Sequence, residues 1–364
     1  METVFIDGST GEGGGQILRT ALALACITGR SLHIENIRAA RRNPGLAKQH
    51  LSCVQAACQI CSGKCEGADQ GSKVLDFWPG PVQSGNFYFD IGSAGSASLV
   101  IQTLLPPLFL ADKPSTVTVT GGTHNPLAPP FDFLSETFIP AIATAGFRGS
   151  CKLIKHGFYP AGGGKITFNV QPWRKRPNQI INLCQQGKQF QIHARIYTAK
   201  LPAHIAERQR KLLLQSKLDI QNIEHVEATD SAGPGNAVCI RLCASEHTTV
   251  FTAFGMRGKP SRNVVSEVVD LAKDFLASGA AVDRFLADQL LIYMAMGCHF
   301  AKDSKMGSLS KNGCYTTNEL SAHLLTNVEI IKKFLPVDFI LDRQVPPLQG
   351  AGQEELFRVS CHPV

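Results

Sequence analysis

His156-Gly157-Phe158-Tyr159-Pro160-Ala161-Gly162-Gly163-Gly164-Lys165-Ile166 is the stretch whose reading decides the fold. Three consecutive glycines follow a proline-anchored turn, and alternating apolar residues follow the glycines. This describes a sharp loop feeding a strand, at a place where glycine admits a positive φ or the close approach of another backbone or a ligand. A second triple glycine stands in Asp7-Gly8-Ser9-Thr10-Gly11-Glu12-Gly13-Gly14-Gly15-Gln16. Two such loops in one chain suggest a repeated unit of fold.

Working outward, a pattern of helices and strands recurs three times. The first copy reads as helix Gln16–Ile27, strand Ser31–Ile37, helix His50–Cys61 and strands near Lys73–Phe77 and Asn86–Ile91. The second reads as helix Ser96–Leu105, strand Thr116–Thr120, helix Phe131–Ala145 and strands Cys151–Lys155 and Lys165–Val170. The third has helices Val282–Met296 and Leu324–Phe334, with strands near Asp338–Leu341 and Leu356–Cys361. Each copy offers a sheet with helices on one face, an α/β (α+β) architecture of two-helix, four-stranded units. Residues 184–278 interrupt the third copy with their own strands (Gln189–Tyr197, Ala237–Cys243, Thr248–Phe254) and helices (Ala203–Lys217, Asn263–Leu276). They read as a smaller inserted α/β domain within a body formed by 1–183 and 279–364. Pro177-Asn178 and Ser278-Gly279 mark its borders, and Met306–Thr317 reads as an exposed loop.

The chain's 364 residues point to two domains, and its 44% hydrophobic and 18% charged residues to an ordinary globular protein with a full core. A net charge of +7 favours an anionic partner, nucleic acid or nucleotide among them. Met1–Asp7 lacks a basic segment followed by an apolar core, so no secretory signal is expected. The apolar run Leu99–Leu110 is too short to span a bilayer, so no membrane association is expected. The twelve cysteines read as reduced thiols, in keeping with a cytoplasmic location. Cys58, Cys61 and Cys65 lack a second ligand pair at zinc spacing and read as small buried hydrophobes on a helix.

Several residues are candidates for chemistry. Gly11–Gly15 precedes a helix, where free N–H groups and the helix dipole favour phosphate. Glu12 lies inside that loop, and a carboxylate beside a phosphate calls for a cation between them. Glu12 therefore either holds Mg²⁺ or Mn²⁺, or caps its own helix. No P-loop signature occurs in the chain. Arg38, Arg41, Arg42 and Lys48 surround Pro44-Gly45 directly after a strand; they read as an anion site or as a solvated basic turn, and Arg19 could join them. Phe285, Asp288 and Gln289 share one helix face. Together they could stack on a base and bond its edge, although the plainer reading is an amphipathic helix with a polar outer side. Gln102, polar within the apolar Leu99–Leu105, has the same two readings. His323 sits in the first turn of a helix, where the dipole keeps imidazole neutral and nucleophilic. With eleven histidines in the chain, periodicity alone does not single it out.

Together the segments Asp7–Arg19, Ile37–Leu51, Ile91–Leu105, Gly121–Pro130, Arg148–Ile166, Phe285–Leu290 and His323–Pro336 resemble the RNA 3'-terminal phosphate cyclase family, most of all its bacterial-type members. The resemblance implies three repeated two-helix, four-stranded units with an inserted smaller domain, on a core similar to enolpyruvyl transferases. It implies ATP and a divalent metal, and conversion of an RNA 3'-terminal phosphate to a 2',3'-cyclic phosphodiester. By the same resemblance His323 becomes adenylylated, and Gln102, Pro129, Phe285, Asp288 and Gln289 occupy adenylate-pocket positions. Glu12 matches the metal carboxylate, and Arg19, Arg38, Arg41 and Gln49 fall where phosphates are expected. Ala40 replaces a glycine common in relatives, and the loop Ser304–Leu320 looks longer than usual. The competing expectations are a non-catalytic relative acting in ribosomal RNA processing, an enolpyruvyl transferase, and a plain RNA-binding protein whose affinity ignores the 3' end. The sequence does not specify an oligomeric state.

Overall fold

The computed structural model describes residues 2–174, 179–245, 247–300, 313–344 and 355–364. Its first sheet holds β1 (Thr3–Asp7), β2 (Ser31–Glu35), β3 (Lys64–Glu66) and β4 (Leu75–Trp78) in the order β1-β2-β4-β3. β1 and β2 run parallel, and a parallel pair needs a crossover; α1 (Gly15–Thr28) supplies it. α2 (Lys48–Cys61) covers the same sheet. The second sheet repeats that order with β5 (Asn86–Asp90), β6 (Ser115–Gly121), β8 (Gly164–Val170) and β7 (Gly149–Lys155), and α3 (Ala97–Phe109) makes the parallel crossover. β6 alternates strictly: Val117 and Val119 face the core while Thr116, Thr118 and Thr120 face outward. α4 (Phe131–Phe133), a π turn (Leu134–Phe138) and α5 (Ile139–Ala143) run on as one helix.

The third sheet joins β9 (Asn182–Leu183) in parallel to β14 (Gly313–Thr317), then β16 (Leu356–Pro363) and β15 (Val337–Gln344) antiparallel. α8 (Arg284–His299) and α9 (Ala322–Phe334) accompany it. Between β9 and α8 the chain builds a fourth sheet, β11-β10-β12-β13, from β10 (Gln191–Ala199), β11 (Ile220–Glu227), β12 (Gly235–Cys243) and β13 (Thr248–Phe254). α6 (His204–Leu214) and α7 (Ser261–Ser278) pack on that sheet around Ile240, Phe251, Val268 and Phe275, a core separate from the one beneath the other three sheets.

Several expectations need correction. Asn86–Asp90 opens the second sheet rather than closing the first, and β1, β3, β9 and β11 were not anticipated. The triple-glycine loops are not equivalent: Gly13–Gly15 leads into a crossover helix, whereas Gly162–Gly164 leads into β8. Of the expected loop Met306–Thr317, Gly313–Thr317 is a largely buried strand; 306–312, most of the Ser304–Leu320 loop and the Pro177-Asn178 border lie outside the described residues. Cys65 has left the helix of Cys58 and Cys61 and lies on β3.

The stretch that opens at His156 joins the two cores. Gly162, at φ 65°, lies so close to the backbone of Ala94 that an added Cβ would stand 2.8 Å from its Cα. Phe158 is buried against Tyr197 and Ala237 of the fourth sheet, and His156 Nδ1 lies 2.8 Å from Asp230 Oδ1. Beneath them Asp132, on α4, accepts from Arg195 (2.6 Å) and Tyr197 (2.7 Å) of β10 and pairs with His124 Nε2 at 3.0 Å. Glu136 meets Arg241 of β12 at 2.5 Å. The acids repeat at i, i+4 on one helix face, but their partners lie on the fourth sheet, beyond the reach of local pattern.

Candidate active site at the helix termini

The first turns of α1 and α9 meet, with α2 and α8 on either side. The N-cap of α9 is Ser321, whose Oγ accepts from Leu324 N at 3.1 Å; Asp283 caps α8 through Phe285 N and Leu286 N. α1 differs: its N-cap is Gly14, and no side chain caps it. Its leading N–H groups and dipole are thus open to an anion.

Glu12 does not cap α1. Its carboxylate is only 7% exposed and reaches Arg41 Nη2 at 2.8 Å and His323 Nε2 at 3.4 Å through Oε2. Its other oxygen, Oε1, is buried with no hydrogen-bond partner among the described residues. Thr326 Oγ1 accepts from the Glu12 N–H at 3.2 Å and donates to Ala322 O, which fixes the loop against α9. A side chain at either of the last two glycines would displace side chains of the site. A Cβ on Gly14 would overlap Glu12 Oε1 and stand 2.6 Å from Arg41 Nη2, and one on Gly15 would overlap His50 Nε2 and stand 3.1 Å from Arg19 Nη1. A buried, orphaned carboxylate oxygen beside an uncapped helix start suits a hard divalent cation shared with phosphate oxygens. Glu12 fits the metal of the expected reaction.

His323 is held on its other side by Gln16, whose Oε1 bonds Nδ1. Gln16 in turn bonds Asp288 Oδ2 through Nε2 at 3.3 Å. Asn327 ties the elements together, donating to Asp288 O at 3.0 Å and accepting from Thr20 Oγ1 at 2.7 Å. Burial lowers the His323 pKa; Arg19 and Arg41 lower it further, against the opposing pull of Glu12. Burial also lowers Arg19 from its ordinary value. His50 falls to about 3, through burial and then the charges of Arg19, Arg38 and Arg41. Asp288 rises to about 7, because burial outweighs the Gln16 bond and Arg19. The site is a cationic pocket with two buried carboxyls and two imidazoles held neutral.

The remaining candidates are distributed around it. Gln102 Nε2 bonds Gln289 Oε1, and Gln289 Nε2 donates to Phe285 O at 2.6 Å, so α3 and α8 present these residues together. Phe285 is 43% exposed with the Arg284 guanidinium 4.9 Å from its ring centroid. Asp288 departs from this outer face and turns inward to Gln16. Pro129 lies in the loop between β6 and α4. Arg38 spends Nη1 on Asn43 O and Gly45 O, bracing its own loop, and Gln49 Oε1 accepts from Ser96 N at the start of α3. Arg19 and Arg41 are the guanidiniums that face the Glu12 and His323 cluster. Gln16, His50 and Asn327 were not anticipated; Gln16 directly follows the glycine loop, the one signal that marked it.

A family model described as RNA 3'-terminal phosphate cyclase matches residues 10–341. The chain is 40% identical over 363 residues to the RNA 3'-terminal phosphate cyclase of Pseudomonas fluorescens, covering 100% of this chain and 98% of that one. It is 43% identical over 349 residues to the enzyme of that name from Koribacter versatilis, covering 94% and 93%. To that of Ralstonia nicotianae it is 43% identical over 332 residues, covering 91% of each.

Proposed function

The chain belongs to the RNA 3'-terminal phosphate cyclase family, and from that premise we propose that it uses ATP to convert an RNA 3'-terminal phosphate to a 2',3'-cyclic phosphodiester. His323 Nε2 attacks the α-phosphorus of ATP and expels pyrophosphate, leaving AMP on the imidazole. AMP passes to the RNA 3'-phosphate and frees His323. The vicinal 2'-hydroxyl then attacks the activated phosphorus, loses its proton and displaces AMP. A phosphate monoester has no good leaving group; adenylylation supplies one, and the tethered hydroxyl makes the last step intramolecular.

The observation that carries this reading is the setting of His323. Its Nδ1 is occupied by Gln16, its pKa is lowered, and its Nε2 faces Glu12 beside Arg41 and the uncapped start of α1. A neutral imidazole is the nucleophilic form, and the surrounding cations offset phosphate charge. Glu12 would hold the divalent cation, Mg²⁺ or Mn²⁺, which when bound would supply further positive charge at the phosphates. Arg19 and Arg41 contact phosphates, with Arg38 and Gln49 shaping the loops around them. Gln102, Pro129, Phe285 and Gln289 receive the adenine and ribose, and Asp288 supports that pocket.

The three sheets of like strand order are copies of one two-helix, four-stranded unit. Residues 1–183 and 279–364 form the catalytic body and 184–278 an inserted domain; the two cores and the shared order support this division. Among the described residues no helix is long and apolar enough to cross a membrane.

The test is incubation of the purified protein with ATP carrying a radioactive α-phosphate and Mg²⁺ or Mn²⁺, beside folded His323→Ala. An acid-labile, alkali-stable label on the wild type alone supports the reading, and cyclization of an RNA 3'-phosphate follows. Absence of label on the wild type returns the chain to the non-catalytic RNA-binding alternative; equal label on the variant removes His323 as nucleophile.

A further inference from the structure

We propose that Gln16 is a positioning residue that holds His323 in the tautomer protonated on Nδ1, and that Asp288 sets which way the Gln16 amide faces. The inference rests on the reading of His323 as the nucleophile.

The argument is one of donors and acceptors. A glutamine amide has one end that accepts and one that donates. In Gln16 the two ends meet different partners on different helices: Oε1 meets His323 Nδ1 on α9, and Nε2 meets Asp288 Oδ2 on α8. Above about pH 7 the Asp288 carboxyl is ionised and only accepts, so it takes the NH₂ end and leaves the carbonyl for the imidazole. A carbonyl only accepts, so Nδ1 must carry the ring proton. In a neutral imidazole the lone pair is then on Nε2, the nitrogen that looks toward Glu12. The reverse orientation would require the Asp288 carboxyl to be protonated.

The frame around this chain of contacts is rigid. Gln16 is 8% exposed. The Asp288 backbone is fixed by Asn327, one turn beyond His323 on α9, and Asn327 is fixed by Thr20, one turn beyond Gln16 on α1. The three helices thus close a ring of polar contacts whose outlet is the His323 imidazole. Such a partner orients the ring and stabilises the charge that develops when Nε2 forms a bond to phosphorus. A buried carboxylate does this directly for the imidazole of a serine hydrolase; here an amide stands between. Among the described residues Asp288 Oδ1 is buried without a hydrogen-bond partner, and Gln16 is the one side chain that hydrogen-bonds that carboxyl.

The experiment uses the full chain with ¹⁵N-labelled histidine at mildly alkaline pH, where imidazole is neutral. Long-range ¹H–¹⁵N correlation reads the tautomer of His323, assigned by its disappearance in His323→Ala. Single-turnover labelling by ATP is measured in parallel. We expect the Nδ1–H form in the wild type. In Gln16→Leu we expect loss of that preference and labelling slower by roughly 10–100-fold, the scale of removing a partner that orients a metal-bound imidazole, with the ATP concentration for half-maximal rate little changed. Asp288→Asn leaves the amide free to turn, and a mixed tautomer with intermediate labelling is expected; this variant carries the test if Gln16→Leu does not fold. An Nε2–H wild type overturns the proposal. So does a tautomer and rate unmoved in Gln16→Leu or, where that variant does not fold, in Asp288→Asn. A wild type that takes no label defeats the reading of function instead, while the tautomer of the free protein still reports on Gln16.

Discussion

Glu12 Oε2 stands 3.4 Å from His323 Nε2 although the two residues lie at opposite ends of the chain. The contact exists because α1 and α9 pack side by side with their N-termini together. A carboxylate in that position serves the imidazole poorly as a permanent partner, since it would draw a proton onto the nitrogen that must attack. A cation shared with phosphate oxygens relieves the conflict, and among the described residues Oε1 is already buried without a hydrogen-bond partner. Glu12→Ala is therefore expected to move the Mg²⁺ or Mn²⁺ dependence of ATP labelling to higher metal concentration, by at least ~10-fold. A titration that superimposes on the wild type would leave Glu12 as no more than the ion-pair partner of Arg41.

The pH dependence of labelling follows from the charges around His323. Burial, Arg19 and Arg41 lower its pKa from the ordinary 6.5, and Glu12 opposes them. A lowered pKa keeps the ring neutral as pH falls, so loss of rate from protonation of His323 itself should set in only below 6.5, beneath the milder change expected as Asp288 titrates at about 7. Arg41→Gln removes a cation and releases Glu12 from its 2.8 Å ion pair. Both changes favour the imidazolium, so the acid limb should shift to higher pH. A shift the other way would mean that the charges act on ATP rather than on His323.

His50 makes a separate contribution, read in stability. Its folded pKa is about 3 and its ordinary value 6.5. Below 6.5 the unfolded chain binds a proton that the folded site refuses, so stability is lost as pH falls from 6.5 toward about 3. The slope contributed is at most about 1.4 kcal/mol per pH unit. His50→Gln should flatten urea midpoints across that window by about one proton's worth; parallel curves for the two proteins would place the charge of His50 elsewhere.

How much of this was legible in the sequence depends on the element. α1, α2, α7 and α9 announce themselves by apolar periodicity. β9 is two residues long, β3 is Lys-Cys-Glu, and β11 is an exposed polar edge; none carries an alternating pattern to read. Strand order was illegible because pairing partners are distant in sequence. His323 and Glu12 were reached through their motifs. Gln16 and Asn327 look like ordinary polar residues on their helices, and only the packing of α1 against α8 and α9 gives them partners. Asp288 was placed with Phe285 and Gln289 by helical spacing, yet one position before Gln289 the helix turns that side chain inward.

The junction between the two cores gives a prediction of another kind. Burial alone would raise the Asp132 pKa, but hydrogen bonds from His124 and Tyr197 and the charge of Arg195 outweigh it and hold the carboxyl well below its usual range. Asp132→Ala leaves Arg195 and the Tyr197 hydroxyl without their shared acceptor. Removing one partner of such a buried pair costs about 3–5 kcal/mol. Urea unfolding of Asp132→Ala should show that loss. A variant within ~1 kcal/mol of the wild type would mean that Glu136 and Glu224, which already contact Arg195, absorb the charge.

Gly15→Ala sets local preference against the site. Gly15 is the first residue of α1, and alanine in a helix is favoured over glycine by about 0.5–1 kcal/mol. By that measure alone the variant should be more stable. The added Cβ, however, would overlap His50 Nε2 and approach Arg19 Nη1 to 3.1 Å. His50 is buried and cannot swing into solvent, so relief must come from moving Arg19 or the start of α1. Both belong to the surface offered to phosphate. We expect ATP labelling to fall by at least ~10-fold, the scale of a displaced positioning contact, while thermal stability changes little because the helix gain and the local clash offset each other. Labelling at the wild-type rate would show that the loop Gly11–Gly15 stands clear of the nucleotide phosphates, and that the glycine is needed only to seat His50.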